Sequence, residues 1–309
     1  MLEGPLMRRL SLVATTGAVA LGLTLSACGS NSLSPGGSGG GNNTSSAPGP
    51  TGTVDQALAA KLPAKIKSAG KIVVGIDPTY APNEMLAADG KTVEGWDADL
   101  FNAVAAKFGV TVDYSPSKFD AIILGVDSGK YDIGVSSFSI TDQRKAKVNM
   151  VSYYKAGTLW VTKPGNPAKI DPNNACGKNI GVQTGTTQFD DISAKSKKCT
   201  DAGKPAVHIL PHDGQNQVTA DVVSGKADAM LADSPIGLYA IKQFQGKLEK
   251  LGDVYDSAPY GYVVPKSETD FANALVDALK AAKADGSYDA ALKKWGVESG
   301  GITDFALNP

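Results

Sequence analysis

From residue 71 onwards the sequence alternates between short β-branched segments and amphipathic segments. A strand over Lys71–Ile76 leads, through a loop and a short hairpin, to a helix over 98–108, and a second series begins with a strand at Asn179. Such alternation predicts mostly parallel sheets covered by helices on both faces. The chain therefore reads as two α/β units, and the extended segments 154–162 and 256–263 could both run between them.

The most informative polar stretch is YDIGVSSFSITDQR, from Tyr131 to Arg144. A buried strand ends in hydroxyl-bearing residues, Thr141 and Asp142 are typical of a helix start, and Arg144 follows on the first turn. A guanidinium can hold both oxygens of a carboxylate, so the stretch suits a carboxylate-binding socket. The alternative explanation of the spacing is a polar loop with a surface arginine. The hydroxyls that would line the socket are Ser136, Ser137 and Ser139.

Other polar and aromatic residues are also predicted at the carboxyl ends of strands, where open α/β sheets bind ligands. Tyr80 lies between two prolines, and Phe119 begins a helix. The turn 184–187 opens another helix, whose free N–H groups could meet an anion, although this signal alone is weak. Asp233 follows a strand and could meet an ammonium group or simply cap the next helix. Asp97 is predicted to cap the helix over 98–108.

Charge and composition exclude several classes of partner. The chain carries 31 acidic and 30 basic residues, so we expect no nucleic-acid partner and no electrostatic membrane binding. Its two histidines, His208 and His212, flank Pro211, which favours a loop over a metal site. We therefore expect neither a metal nor a cofactor.

The N-terminus resembles an export signal. Two arginines precede an apolar run over 10–25, and Leu-Ser-Ala-Cys then ends at Cys28. This box resembles the bacterial lipoprotein cleavage site, which predicts a signal peptide over 1–27 and lipidation of Cys28. A plain cleaved signal is the alternative, and Met7 could be the true start. Residues 28–52, rich in Gly, Ser and Pro, predict a flexible tether to the outer face of the cytoplasmic membrane.

The remaining cysteines, Cys176 and Cys199, are most simply a disulfide in an exported protein. Closing a loop of this length is worth roughly 3 kcal/mol on the chain-entropy model. A redox or zinc site would need CxxC spacing or further ligands.

Five motifs together resemble one family, the solute-binding proteins of polar amino-acid ABC transporters. They are VGIDPTYAP, GWDADLFNAVAAKFG, SGKYDIGVSSFSITDQR, IGVQTGTTQ and SGKADAMLADSP, and the likeness spans about Lys71 to Trp295. The resemblance implies two lobes joined by two strands and closing on one amino acid. It places lobe 1 at 53–159 plus 260–309 and lobe 2 at 160–259.

The resemblance also implies roles for individual residues. Tyr80 would be an aromatic clamp with Phe119 as the opposite wall, Arg144 would bind the ligand carboxylate, and Asp233 would accept its ammonium group. The other residues expected at the ligand are Asp77, Ser136, Ser137, Ser139, Gln183, Thr186 and Thr187. Asn83 and Gln183 depart from the residues common at their positions, which leaves the preferred amino-acid side chain open.

The expected function is that of an extracytoplasmic receptor, a monomer, that passes an amino acid to an ABC permease and its ATPase. Two alternatives stay open on the sequence. Some relatives on this scaffold are dehydratases of cyclic carboxylic acids such as arogenate, which need a general acid in the cleft. A sensor module would bind the same ligand but signal to a receptor.

Overall fold

The computed structural model describes residues 54–309. The predicted signal peptide, Cys28 and the tether lie outside the described residues. No helix in the described part has the length and apolar character needed to cross a membrane.

The strands form one large sheet and one small one. The large sheet has the order β5-β1-β6-β11-β7-β10-β8-β9, and the small sheet has the order β2-β3-β4. The strands are β1 (Lys71–Ile76), β2 (Thr79–Tyr80), β3 (Glu84–Leu86), β4 (Val93–Glu94), β5 (Thr111–Pro116), β6 (Ile133–Gly134), β7 (Asn149–Thr162), β8 (Asn179–Gln183), β9 (His208–His212), β10 (Ala229–Asp233) and β11 (Glu249–Val264).

Helices cover both faces of the large sheet. They are α1 (Gln56–Ala59), α2 (Ala64–Ala69), α3 (Trp96–Lys107), α4 (Phe119–Asp127), α5 (Asp142–Lys147), α6 (Thr187–Asp201), α7 (Gln215–Ser224), α8 (Ser234–Gln243), α9 (Thr269–Ala284) and α10 (Ser287–Trp295), followed by a 3-10 turn at Glu298–Gly300. The two short helices α1 and α2 are separated by Pro63, which is at the N-cap of α2.

Two long strands join the two halves of the sheet, as the extended segments predicted. β7 and β11 pair antiparallel from Glu249–Thr162 at one end to Val264–Asn149 at the other. Near one end β11 pairs with β6, and at the other β7 pairs with β10. We call the part built on β1, β5 and β6 the first lobe and the part built on β8, β9 and β10 the second lobe.

Each lobe has apolar packing on both faces of its sheet. In the first lobe, α3, α9 and α10 bury residues such as Leu100, Leu275 and Leu292 on one face, and Ile122 of α4 packs on the other. In the second lobe, Ile192 of α6 packs on one face, while residues of α7 and α8 pack on the other. The prediction of mostly parallel sheets is confirmed for β1 with β5 and β6, and for β8 with β9 and β10.

The predicted disulfide is present. Cys176 and Cys199 are bonded, with their Cα atoms 5.6 Å apart, and tie the segment before β8 to the last turns of α6. His212, expected in a loop, ends β9 instead, and its Nε2 lies 2.7 Å from a carboxylate oxygen of Asp221. In residues 54–309 no group of three or more acidic, histidine or cysteine side chains is placed to hold a metal.

Candidate functional site

A small cavity lies between the two lobes, beyond the carboxyl ends of β6, β8 and β10. The free space inside it, about 10 Å³, is roughly what one water molecule needs. Both lobes contribute to its lining, and nine of the eleven residues that the sequence predicted at the ligand belong to it. The full lining is Tyr80, Phe119, Ser137, Ser139, Arg144, Gln183, Thr186, Thr187, Gln188 and Asp233.

Arg144 is the positive charge of the cavity. The Thr141 hydroxyl caps α5 by accepting from the Arg144 N–H at 3.2 Å, as the sequence predicted, which places the arginine on the first turn of that helix. Its guanidinium donates to the Ser139 carbonyl at 2.8 Å and, across the cleft, to the Gly185 carbonyl at 3.0 Å. Burial lowers the Arg144 pKa from its usual value, and the charge of Asp233 acts in the opposite direction.

Aromatic rings support this guanidinium. Phe119 and Phe138 stack with centroids 4.5 Å apart and planes 19° from parallel. The Arg144 guanidinium carbon lies 5.5 Å from each ring centroid, within the range of a cation–π contact. Phe119 also lines the cavity, and its partner Phe138 was not singled out from the sequence.

Asp233 is the negative charge of the cavity and comes from the second lobe. It ends β10 at the start of α8, but its side chain makes no capping bond to that helix. Its carboxylate accepts from the Tyr80 hydroxyl at 2.9 Å and from the Gln188 amide at 2.8 Å. Burial raises the Asp233 pKa, and the hydrogen bonds and the charge of Arg144 partly oppose that rise.

The first turn of α6 adds backbone donors to the second lobe's side of the cavity. The Thr186 hydroxyl caps this helix by accepting from the Phe189 N–H at 3.1 Å and donates to the Gln183 carbonyl at 2.8 Å. Thr187 begins the helix and lines the cavity. N–H groups of a helix's first turn lack intrahelical acceptors, so this end favours an anion.

Asp77 and Gln183 meet across the cleft beside the cavity. The Gln183 amide donates to an Asp77 carboxylate oxygen at 2.5 Å and to the Asp213 carbonyl at 2.8 Å. Burial raises the Asp77 pKa to about 6, although bonds from Thr79 and Gln183 lower it in part. Gln183 lines the cavity, whereas Asp77 lies just outside its lining.

Residues 136–139, which we call the serine loop, place their serines on two sides of the cavity wall. Ser139 and Ser137 line the cavity, but Ser136 does not. The Ser136 hydroxyl instead accepts from the Asp77 N–H at 3.1 Å and donates to Glu84 at 2.9 Å, inside the first lobe. The structure therefore places Ser136 behind the wall of the cavity.

Sequence reasoning missed or misassigned several residues of this region. Gln188 was present in the motif IGVQTGTTQ, but the direction of its side chain towards Asp233 could not be read from the sequence. Asp97 was expected to cap α3 and does not, because Gly95 occupies the cap position and makes no side-chain bond. The Asp97 carboxylate is fully buried and accepts from Ser137 and Tyr153 instead.

Direct contacts between the lobes close the cleft. The Gln215 N–H donates to the Thr79 hydroxyl at 3.1 Å, and Lys118 pairs with Asp213 at 2.5 Å. Together with the bond from Tyr80 to Asp233, these contacts join the first lobe to loops at the ends of β9 and β10.

Comparison with known proteins gives consistent matches. A family model described as bacterial extracellular solute-binding proteins, family 3, matches residues 72–298. The arginine-binding protein ArgT of Corynebacterium glutamicum is 29% identical over 305 residues, which are 98% of this chain and 97% of that protein. The L-arginine-binding protein of Pseudomonas aeruginosa is 30% identical over 224 residues, covering 70% of this chain and 83% of that protein.

A solved structure, described as an ancestral arginine-binding protein bound to arginine, is 32% identical. It superimposes with a TM-score of 0.68 and covers 73% of this chain and 98% of its own. These similar proteins are binding proteins rather than enzymes.

Proposed function

The chain belongs to the bacterial extracellular solute-binding proteins of family 3, and from this premise we propose that it captures one L-α-amino acid between its lobes for an ABC importer. It is a binding protein and not an enzyme. The observation that carries the proposal is the placement of Arg144 and Asp233, which come from different lobes and face one cavity.

Arg144 and the start of α6 form the carboxylate end of the proposed site. The guanidinium can present two parallel N–H groups to a carboxylate. Thr187 and the first-turn N–H groups of α6 face the same space from the second lobe. In the ligand complex, the ligand's oxygens would replace the Ser139 and Gly185 carbonyls as partners of the guanidinium.

Asp233 forms the ammonium end. Its two bonds to Tyr80 and Gln188 fix the carboxylate in place, because each carboxylate oxygen has one donor. A carboxylate offers about four lone-pair positions, so it can accept from an ammonium group as well. The ring of Tyr80 then packs over the ligand as the clamp that the sequence predicted.

Closure follows from the energetics of burying a zwitterion. Each buried charge left without a partner costs several kcal/mol. An opposite-charge pair at 4 Å is worth about 4 kcal/mol at an effective dielectric near 20. Because the two charges of the site belong to different lobes, both pairs form only when the lobes close, and the ligand shifts the population towards the closed form.

We further propose that the preferred ligand carries a cationic side chain, as L-arginine does. Asp77 places a second buried carboxylate beside the cavity, and Arg144 is the one arginine of residues 54–309. The site thus presents more negative than positive charge to a ligand. Two relatives named as arginine-binding proteins and the arginine-bound ancestral structure support this choice.

The finer organisation is part of the same proposal. We place lobe 1 at 53–159 plus 260–309 and lobe 2 at 160–259, with β7 and β11 as the hinge.

We also propose export by the signal peptide over 1–27, a lipid anchor on Cys28, a tether over 28–52 and a monomeric receptor. The anchor is tested by metabolic labelling with a palmitate analogue, with and without globomycin treatment. The wild type should carry the label, and Cys28→Ala should abolish it.

A calorimetric and thermal-shift panel tests the function. We expect L-arginine to bind with a Kd in the micromolar range or below, about −8 kcal/mol or better. L-Lysine and L-ornithine should follow, with L-glutamine weaker and L-glutamate weakest. A ligand that binds only the folded form raises the melting temperature, so both readouts should rank the ligands in the same order.

Two controls make this panel decisive. Agmatine, which lacks the α-carboxylate, keeps the cationic side chain and should bind far more weakly than L-arginine. Arogenate should be recovered unchanged after incubation with the protein. If no amino acid changes the melting temperature or releases heat, the proposal is wrong.

A further inference from the structure

A pair of buried carboxylates lies directly behind the cavity wall. Glu84 and Asp97 each expose 0% of their surface. In the described part of the chain neither residue belongs to an ion pair. Two buried acids without a cation cannot both carry charge at ordinary cost.

Hydrogen-bond geometry indicates where a proton lies. The Ser137 hydroxyl oxygen accepts from the Asn83 amide at 2.8 Å and lies 3.2 Å from Glu84 Oε2 and 3.3 Å from Asp97 Oδ2. A hydroxyl has one proton and can donate to only one of these two oxygens. A proton on Glu84 completes the chain, because Glu84 then donates to Ser137, which donates to Asp97.

The other contacts agree with this direction. Asp97 Oδ2 also accepts from the Ser137 N–H at 3.1 Å and from the Tyr153 hydroxyl at 2.7 Å, so the donors gather on this one oxygen, while Oδ1 is buried without a partner. Glu84 Oε1 accepts from the Ser136 hydroxyl at 2.9 Å, so that oxygen serves as the carbonyl of a neutral acid.

This network holds Ser137 in an unusual backbone conformation. Its φ is +54°, in the left-handed region that non-glycine residues seldom occupy. The N–H and hydroxyl of Ser137 both point to the acid pair. Ser137 also lines the cavity, so the acid pair fixes a residue that a bound ligand would contact.

We propose that Glu84 and Asp97 are positioning residues for amino-acid recognition, which share one proton and hold Ser137 in its binding conformation. The proposal rests on the proposed function, since it assigns a role in the same site. It explains why a solute-binding cleft keeps two uncompensated acids beneath its wall.

The pKa directions support a retained proton. Burial raises the Asp97 pKa to about 7 and the Glu84 pKa well above its usual value, and the nearby acids Asp97 and Asp77 raise that of Glu84 further. The other titratable groups that face the pair are the phenols of Tyr80, Tyr114, Tyr153 and Tyr262. Since both folded-state values exceed the unfolded ones, the pair's contribution to stability is present at low pH and lost as pH rises through about 7.

Two substitutions at Glu84 and one control test the proposal. Glu84→Gln keeps a donor and an acceptor in place of the neutral acid, whereas Glu84→Leu removes both. Asp113→Asn is the control, because Asp113 is an exposed acid of the same lobe that pairs with Lys71. The readouts are L-arginine affinity by calorimetry, melting temperature at pH 6 and pH 8 without ligand, and infrared difference spectra at pH 7.

We expect E84L to lose about tenfold or more in affinity, since serine donors are left unpaired, and E84Q to restore most of it. E84Q should also shrink the fall in melting temperature between pH 6 and pH 8, and it should remove the C=O band of a protonated carboxylic acid. D113N should behave like the wild type in every readout.

The outcomes separate this proposal from the proposed function. If the wild type binds no amino acid, the proposed function is wrong. The infrared spectra and the melting temperatures would still test whether Glu84 and Asp97 share a proton. A wild type that binds L-arginine while E84L binds it equally well overturns the positioning role. If E84L fails to fold, E84Q decides: an unchanged infrared spectrum and an unchanged pH dependence overturn the shared proton.

Discussion

The two lobes prepare their halves of the site in different ways. In the first lobe, Arg144 lies against Phe119 and Phe138 and donates to a carbonyl of its own lobe. In the second lobe, Asp233 accepts one bond from Gln188 of its own lobe and the other from Tyr80 of the first. Opening the cleft would remove one partner from each charge, the Gly185 carbonyl from Arg144 and the Tyr80 hydroxyl from Asp233. Arg144 would keep two aromatic rings and the Ser139 carbonyl, whereas Asp233 would keep only the Gln188 amide.

This difference indicates an order of events. The first lobe offers a guanidinium that lies against two aromatic rings and a serine loop whose Ser137 is bonded to buried acids. The second lobe offers a carboxylate and a helix start that become complete only on closure. We expect an amino acid to dock on the first lobe and the second lobe to close over it.

The largest effect is expected from Arg144→Met. The ligand carboxylate would then be buried without a cation, which costs about 3–5 kcal/mol, so affinity should fall by a hundredfold or more. Calorimetry with L-arginine measures the loss, and Lys147→Met is the matched control on the exposed side of α5. If R144M binds L-arginine with near-wild-type affinity, the proposal that the ligand carboxylate docks on Arg144 of the first lobe is wrong.

The second effect concerns stability in the second lobe, where the disulfide lies. The double variant Cys176→Ala/Cys199→Ala should lower the free energy of unfolding by roughly 3 kcal/mol, because the unfolded chain regains the entropy of an open loop. Urea unfolding followed by circular dichroism measures it. The affinity for L-arginine should stay close to wild type, and a large loss would mean that the disulfide also shapes the cleft.

A smaller effect is expected from Asp233→Asn. The amide keeps an acceptor for Tyr80 but loses the charge that meets the ammonium group, so affinity should fall by about tenfold to a hundredfold. If the second lobe acts mainly by closing, the dissociation rate should carry most of this change, which stopped-flow fluorescence can follow. Asp201→Asn, at the exposed end of α6, is the control. A change confined to the association rate would reverse the proposed order.

The smallest effect concerns pH. Asp77 has a pKa of about 6 without ligand, and only its ionised form attracts a cationic side chain. Affinity for L-arginine should therefore be full above that pKa and fall by about tenfold towards pH 5. Asp77→Asn should weaken binding at neutral pH and flatten this dependence. An unchanged pH profile in D77N would assign the titration to another group.

Much of the fold could be predicted from sequence, since its signals are local. The β-branched runs of β1 and β8, the helix start at Thr141 and the long segments that became β7 and β11 all depend on neighbouring residues. The cavity lining was also largely predictable, because the family motifs place polar residues at the ends of strands.

The rest depends on contacts between residues far apart in the chain. Glu84 meets Ser137 across a separation of 53 residues, and nothing near either residue indicates that contact. Asp97 is a residue type that often caps a helix, yet Gly95 is at the cap position and the Asp97 side chain is buried. Ser136 was expected at the ligand, but neighbouring residues on a loop can face opposite sides of a wall.

The central claim is that one zwitterion bridges a cation of the first lobe and an anion of the second. The direct measurement is the distance between two spin labels, one on each lobe, by double electron–electron resonance. The account predicts that L-arginine narrows the distribution to the closed distance, while agmatine and desamino-arginine, each lacking one charge, leave it broad. Equal closure by either analogue, or by R144M with L-arginine, would contradict the claim.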